Sequence, residues 1–202
     1  MAKPARPGRT TRPWRPADDD PRSAEIRAVA LELVARKGYD EVSIDEIAAE
    51  AAASKSTIYR RWTSKAELVV DAVRRNARQF EAPEDTGTLR GDLLALLDTV
   101  AGELNRDADL VIAVVAAARR DEELMRVVGA QLRGPGLAVG RHLLERAIAR
   151  GEIAEGADTL LVDEVAMPML MHQALLKQPV DKDYVVFVVD DVLLKLLRPV
   201  AP

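Results

Sequence analysis

The side chains in this chain best suited to chemistry are the hydroxyls and cations of Ser54-Lys55-Ser56-Thr57-Ile58-Tyr59-Arg60. Their chemistry would be recognition, because Ser, Thr, Lys and Arg donate to phosphate oxygens and base edges. On a short helix, Ile58 and Trp62 lie four apart and would pack inward. Lys55, Ser56, Thr57, Tyr59 and Arg60 are then left on the outer face, which taken alone could equally be a solvated surface. Catalysis has poorer material. The chain has two histidines and no cysteine, no Gly-rich phosphate loop and no His-x-x-x-His spacing. The expectation is that it is not an enzyme and takes no metal and no cofactor.

The elements that must position those residues are legible from their caps. Ser54 is a good N-cap for Lys55–Trp62. Upstream, Ser43 can cap a helix with Glu46 closing a capping box, and Val42 with Ile47 would form the accompanying hydrophobic staple. Ser64 and Glu67 repeat the box at the next helix. Further upstream, Asp20 caps and Pro21 suits a first helical position. Ile26, Val29, Ala30, Leu33 and Val34 form one buried stripe, and Gly38 would end that helix with a left-handed backbone. Two very short helices joined by one turn make a helix-turn-helix, whose second helix can enter the major groove of DNA. Residues 21–62 would make three helices around a core too small for a whole protein.

The stretch Ile26–Leu68 resembles the DNA-binding domain of the tetracycline-repressor (TetR) family of bacterial regulators. The matching residues are Gly38-Tyr39, Val42-Ser43-Ile44, Ile47-Ala48, Ser54 to Tyr59, Trp62 and Lys65-Ala66-Glu67-Leu68. The resemblance implies an all-α homodimer with N-terminal DNA-binding heads and C-terminal bodies that dimerise and hold a small ligand. It also implies that Ser43, Lys55, Thr57, Tyr59 and Lys65 fall where family members contact operator DNA, Tyr59 and Lys65 mainly at phosphates. With the outward residues of the short helix, the DNA-facing set becomes Ser43, Ser54, Lys55, Ser56, Thr57, Tyr59, Arg60 and Lys65. One departure is the turn Ala51-Ala52-Ala53, where the family usually has Gly at the position of Ala52. A left-handed backbone there costs a non-Gly residue about 1 kcal/mol. Arg60-Arg61-Trp62 also replaces a more aromatic segment and brings two cations toward the groove.

Charge divides the chain. Its formal net charge is −4, which as a whole argues against nucleic-acid binding. Residues 1–82, however, hold 16 Lys and Arg against 13 Asp and Glu, and residues 83–202 hold 13 against 20. A basic head on an acidic body fits a DNA-binding module on a body with another task. No apolar run approaches the ~18–20 residues needed to cross a bilayer, and the N-terminus has no apolar segment of a signal peptide. A cytoplasmic protein without a membrane partner is expected. Residues 1–20 read as a disordered basic arm, either tracking the DNA backbone or serving only as a solubilising tail.

Residues 21–66 would form the DNA-binding head and 67–202 the ligand-binding and dimerisation body. In that body, Leu89, Leu93, Leu96, Leu97 and Val100 mark one helix. Leu110–Arg119 is short, almost wholly apolar and expected to be buried on most sides. A helix capped by Asp121 runs toward Arg150, bent or divided at Gly134-Pro135-Gly136. Another runs from Asp158 to Lys177 with Pro168 inside it, and the last from Asp183 to Leu197. These last two are too apolar for a single buried stripe, and two from each subunit could build a four-helix bundle. Leu161, Val165, Val185, Val189, Val192 and Leu196 are the expected dimer seam. Leu96, Val114, Met125, Val128, Met167, Met171 and His172 are the candidate ligand contacts, since Met adapts to irregular pockets; each could equally be core or surface. The combined expectation is a ligand-responsive regulator, most simply a repressor, that binds a palindromic double-stranded operator and is released by a small molecule. The alternative is an architectural DNA-binding protein without ligand control.

Overall fold

The first four helices start where a side chain can take up a free backbone N–H. The computed structural model describes residues 20–76, 81–155, 157–158 and 160–197. The arm expected over residues 1–20 lies outside these, apart from Asp20. Helix α1 spans Pro21–Lys37, and Asp20 Oδ1 accepts from the Ser23 N–H at 2.9 Å. Helix α2 spans Ile44–Glu50, capped by Ser43 Oγ, which accepts from the Glu46 N–H at 3.1 Å. Helix α3 spans Lys55–Arg61, capped in the same way by Ser54, which accepts from Thr57 N–H at 3.1 Å. Helix α4 spans Lys65–Asn76, and Ser64 accepts from Glu67 N–H at 3.2 Å.

The expected capping box at α2 is made: the Glu46 carboxylate accepts from the Ser43 backbone N–H and also pairs with Lys37. The box at α4 is only half made. Glu67 reaches past Ser64 to the Thr63 N–H at 2.8 Å. Gly38 ends α1 with φ 86° and ψ 156°. This is not the left-handed helical conformation expected, but an extended positive-φ backbone open essentially to Gly alone.

The body runs in longer helices. Helix α5 spans Leu89–Ala118 and breaks at Asp107, whose φ −126° and ψ 21° are not helical. The two helices read from the sequence are therefore one rod with a joint. Only Leu110, Val114, Ala117 and Ala118 of its lower half are buried, and Val115 is 45% exposed, so this half is not covered on most sides.

Helix α6, Glu122–Val128, passes through a wide π turn at Gly129–Arg133 into α7, Gly134–Ala149. The Gly-Pro-Gly stretch thus neither divides the helix nor stops it. A second π turn, Val162–Ala166, leads into α8, Met167–Leu175. Pro135 and Pro168 each sit just after such a turn. There the missing proline N–H and the bulk of the ring are tolerated, whereas in a regular helix interior they would kink or break the chain. Helix α9, Lys182–Phe187, continues through a third π turn at Val188–Leu193 into α10, Leu194–Leu196.

Two hydrophobic cores result, and the joint in α5 lies between them. The first gathers α1 to α4 with Leu110, Val114, Ala117, Leu124 and Val127. The second gathers Leu89 to Leu104 of α5 with α7, α8 and α9. Asn105, beside the joint, holds the α8–α9 loop: its side chain donates to Val180 O and accepts from Val180 N–H, both at 2.9 Å. No described helix is long and apolar enough to cross a membrane.

Candidate nucleic-acid interface

Helix α3 is fixed from beneath. Ile58 is fully buried and Trp62 is 1% exposed, and full burial of an apolar side chain of this size is worth roughly 1.5–3 kcal/mol. The Trp62 indole Nε1–H donates to Asp71 Oδ2 at 2.9 Å. Asp71, fully buried on α4, is also approached by Arg27 at 3.4 Å and Arg75 at 3.3 Å. One carboxylate thus ties α1, the end of α3 and α4 together. The sequence offered a signal for it that was missed: a single acid inside the apolar run Leu68-Val69-Val70-Asp71-Ala72-Val73, near an indole N–H that needs a partner once buried.

With its base fixed, α3 turns Lys55, Ser56, Tyr59 and Arg60 to solvent, Tyr59 being 52% exposed. Thr57 is half-buried. Ser54 is exposed and its hydroxyl is a hub, 2.8 Å from both Ser56 Oγ and Thr57 Oγ1. Lys55 reaches across to Asp45 of α2 at 2.6 Å, and that hydrogen bond raises its pKa. Arg60 is exposed and among the described residues makes no ion pair. Arg61, in contrast, turns away to Asp20 at 2.7 Å. The expected pair of cations at the groove is therefore reduced to one.

Ser43 is exposed at the start of α2. Lys65 is half-buried and donates to the carbonyls of Tyr39 and Val42 at 2.8 and 2.9 Å, with its Nζ 4.0 Å from the centre of the Tyr39 ring. Burial lowers its pKa. Two of its three N–H donors are thereby used, and one remains for an outside acceptor. Ser54, Lys55, Ser56, Tyr59 and Arg60 are brought together on or beside α3. Ser43 and Lys65 flank them at the starts of neighbouring helices.

The candidate ligand contacts are not brought together. Leu96 belongs to the body core and Val114 to the head core. Val128 packs against the head core, while Met167 and Met171 pack against the body core. Met125 is 48% exposed, and His172 is exposed on the outer face of α8. A cleft of about 790 Å³ opens elsewhere, between Ala28 and Leu31 of α1, the joint at Asp107, and Lys177 to Pro179. None of the candidate contacts lines it.

The seam residues divide as well. Val185 of α9 and Val189 of the π turn that follows are buried in the chain's own core, so they offer no surface to a partner. Leu161, Val165 and Val192 are half-buried and Leu196 is 52% exposed. Leu175 is exposed, as are Leu176, Val186 and Phe187, which the seam reading omitted.

Comparison with known proteins places this geometry. A family model described as bacterial regulatory proteins, tetR family, matches residues 26–72. A second, described as tetracyclin repressor-like, C-terminal domain, matches residues 83–192. A DNA-binding transcriptional repressor TetR of Mycobacteroides abscessus is 41% identical over 189 residues, covering 91% of this chain and 97% of its own. The crystal structure of a TetR family transcription regulator is 27% identical with a TM-score of 0.69, covering 89% of this chain and 100% of that one. The FadR regulator of Bacillus subtilis, in complex with stearoyl-CoA, superposes with a TM-score of 0.65 over 86% of this chain and 96% of its own. At 21% identity that last likeness is one of fold.

Proposed function

The chain belongs to the tetracycline-repressor (TetR) family of DNA-binding transcriptional regulators, and on that premise we propose that it is a homodimeric repressor released from its operator by a small molecule. The observation that carries the reading is the build of α3. Ile58 and Trp62 anchor it, and Lys55, Ser56, Tyr59 and Arg60 face outward. Hydroxyls and the Tyr59 ring would meet base edges and phosphates, and Lys55, Arg60 and the free donor of Lys65 would neutralise phosphate. To do so, Lys55 exchanges Asp45 for DNA. Its target being bacterial operator DNA, the cytoplasm is its place of action.

The body supplies the dimer. Leu175, Leu176, Val186, Phe187 and Leu196 are exposed on α8 to α10 and their ends, apolar side chains of the kind that interfaces cover. Pairing of these outer faces, with Leu161, Val165 and Val192 at their edge, would bring two recognition helices to half-sites about 34 Å apart. Effector control is inferred from the family and supported by the joint in α5. The lower half of that helix packs in the head core and the upper half in the body core. A molecule that reshapes the body near Leu96, Met167 and Met171 would act on the head through Asp107. Reversal of a 99:1 population requires it to prefer the released form by roughly 5.5 kcal/mol.

The test is selection of DNA from a random pool at physiological salt, with sedimentation of the protein on the selected site. A palindrome with one-turn half-site spacing bound by a dimer is the expected result. Salt-sensitive binding without sequence enrichment would make the chain an architectural DNA binder instead. No binding at all would overturn the assignment of α3.

A further inference from the structure

The turn between α2 and α3 has an unusual solution to a backbone problem. Ala51 ends α2, and Ala52 takes a positive φ of 47°. The Ala53 N–H donates to Ala48 O at 2.8 Å and the Ala52 N–H to Ala49 O at 3.1 Å. These are the paired hydrogen bonds of a left-handed helix end, a position that favours Gly over Ala because of the Cβ. The bonds use the carbonyls of Ala48 and Ala49. Those of Ala51 and Ala52 still need donors at the end of the helix.

Arg22, some 30 residues upstream in the first turn of α1, supplies them. Its Nη2 lies 2.6 Å from Ala51 O and 2.6 Å from Ala52 O. Its Nη1 is paired with Glu25, which orients the guanidinium. Two residues earlier, Asp20 pairs with Arg61 at the far end of α3. The first turn of α1 therefore holds both the turn that precedes α3 and the residue that ends it.

We propose that Arg22 is a positioning residue for DNA recognition: its fork on the carbonyls of Ala51 and Ala52 holds the left-handed turn that an alanine would otherwise leave, and so sets the pitch of α3. The inference rests on α3 being the recognition helix. A planar guanidinium suits the task because one nitrogen can serve two carbonyls while another is held by a carboxylate. The effect on function follows from the tolerance of such sites, whose contacting groups must be held within about 0.5 Å and 10–20°.

The experiment titrates the selected operator and a scrambled duplex with the full chain and with Arg22→Ala, Arg22→Lys, Ala52→Gly and Arg22→Ala/Ala52→Gly, at several salt concentrations. Folding of each is checked by circular dichroism. Arg22→Ala should lose roughly tenfold in operator affinity, as expected for two charge-assisted hydrogen bonds. Its scrambled-duplex affinity and salt slope should stay at wild-type values. Arg22→Lys, which keeps the charge but loses the fork, should fall between. Ala52→Gly should restore most of the loss, because Gly needs no help to hold the turn.

A salt slope reduced by about one unit in Arg22→Ala would mean direct phosphate contact and would overturn the proposal. So would an unchanged operator affinity, full retention by Arg22→Lys, or a loss that Ala52→Gly leaves in place. If Arg22→Ala does not fold, Arg22→Lys with and without Ala52→Gly carries the same test. Failure of the wild-type chain to select any operator would instead count against the recognition-helix reading, which keeps the two failures apart.

Discussion

The head and the last two helices treat apolar surface in opposite ways. Between residues 20 and 76 the only large apolar side chain exposed is Tyr59, among the described residues. Between residues 160 and 197 there are six: Leu160, Leu175, Leu176, Val186, Phe187 and Leu196. The head closes its small core inside one chain and ties it with the Asp71 carboxylate, so what it presents outward is polar and suited to DNA. The end of the body leaves its outer face unfinished. One region is complete as a monomer, and the other carries the surface on which the proposed dimer depends.

The largest expected effect lies in the head. Asp71→Ala would remove the shared acceptor of Trp62, Arg27 and Arg75. Breaking a buried ionic node of this kind typically costs about 3–5 kcal/mol, to be read from urea unfolding. A loss below 1 kcal/mol would show that the head does not depend on its polar tie. The next effect belongs to the body. Phe187→Asp with Leu196→Asp should weaken the dimer by ~30-fold or more, the scale of losing a central interface residue. Sedimentation should then show a folded monomer, and a dimer that persists would move the seam elsewhere.

A smaller effect should separate reading from folding within the head. Tyr59→Ala should leave stability within about 0.5 kcal/mol, as for other exposed sites. Its operator affinity should fall by roughly tenfold, the scale of one good contact. The smallest effect concerns Asp20. Its hydrogen bonds from Ser23, with Arg61 adding to them, lower its pKa from 3.8 to about 2. A depressed folded-state pKa stabilises above the unfolded value and is lost as pH falls through the folded one. The wild-type advantage over Asp20→Asn in urea midpoint should be present at pH 6, decline below pH 4, be mostly gone at pH 2 and vanish below it. An advantage unchanged at pH 2 would show that the charge of Asp20 contributes nothing.

Legibility in the sequence followed the same division. Ser43, Ser54 and Ser64 announced three helix starts because a cap is a contact over three residues. Ile58 and Trp62 announced the inner face of α3 because it repeats every turn. The strain at Ala52 was expected from the resemblance, because the family usually has Gly at that position. Arg22 on the carbonyls of Ala51 and Ala52 was not visible, and neither was Arg27 beside Asp71. Both join residues tens of positions apart, and a local pattern carries no trace of such pairs. In the body, Gly134-Pro135-Gly136 looked like an interruption because π turns leave no simple sequence mark. Three such turns also rotate the faces of their helices. Val185 and Val189 are buried in the core while Val186 and Phe187 are exposed, a choice of side that helical periodicity alone leaves open. The ligand set failed to converge for a related reason: Met and Leu fill both cores, and composition does not say which.

The most direct test of α3 as the reading element is the preference of the dimer for its selected operator over a scrambled duplex. It should be measured for the wild-type chain and for a chain carrying Ser56→Ala, Thr57→Ala and Tyr59→Ala together. The wild-type preference should reach about 10³ or more at physiological salt, and in the folded triple variant it should collapse toward one while scrambled-duplex binding persists. A folded triple variant that keeps the wild-type preference would contradict the assignment.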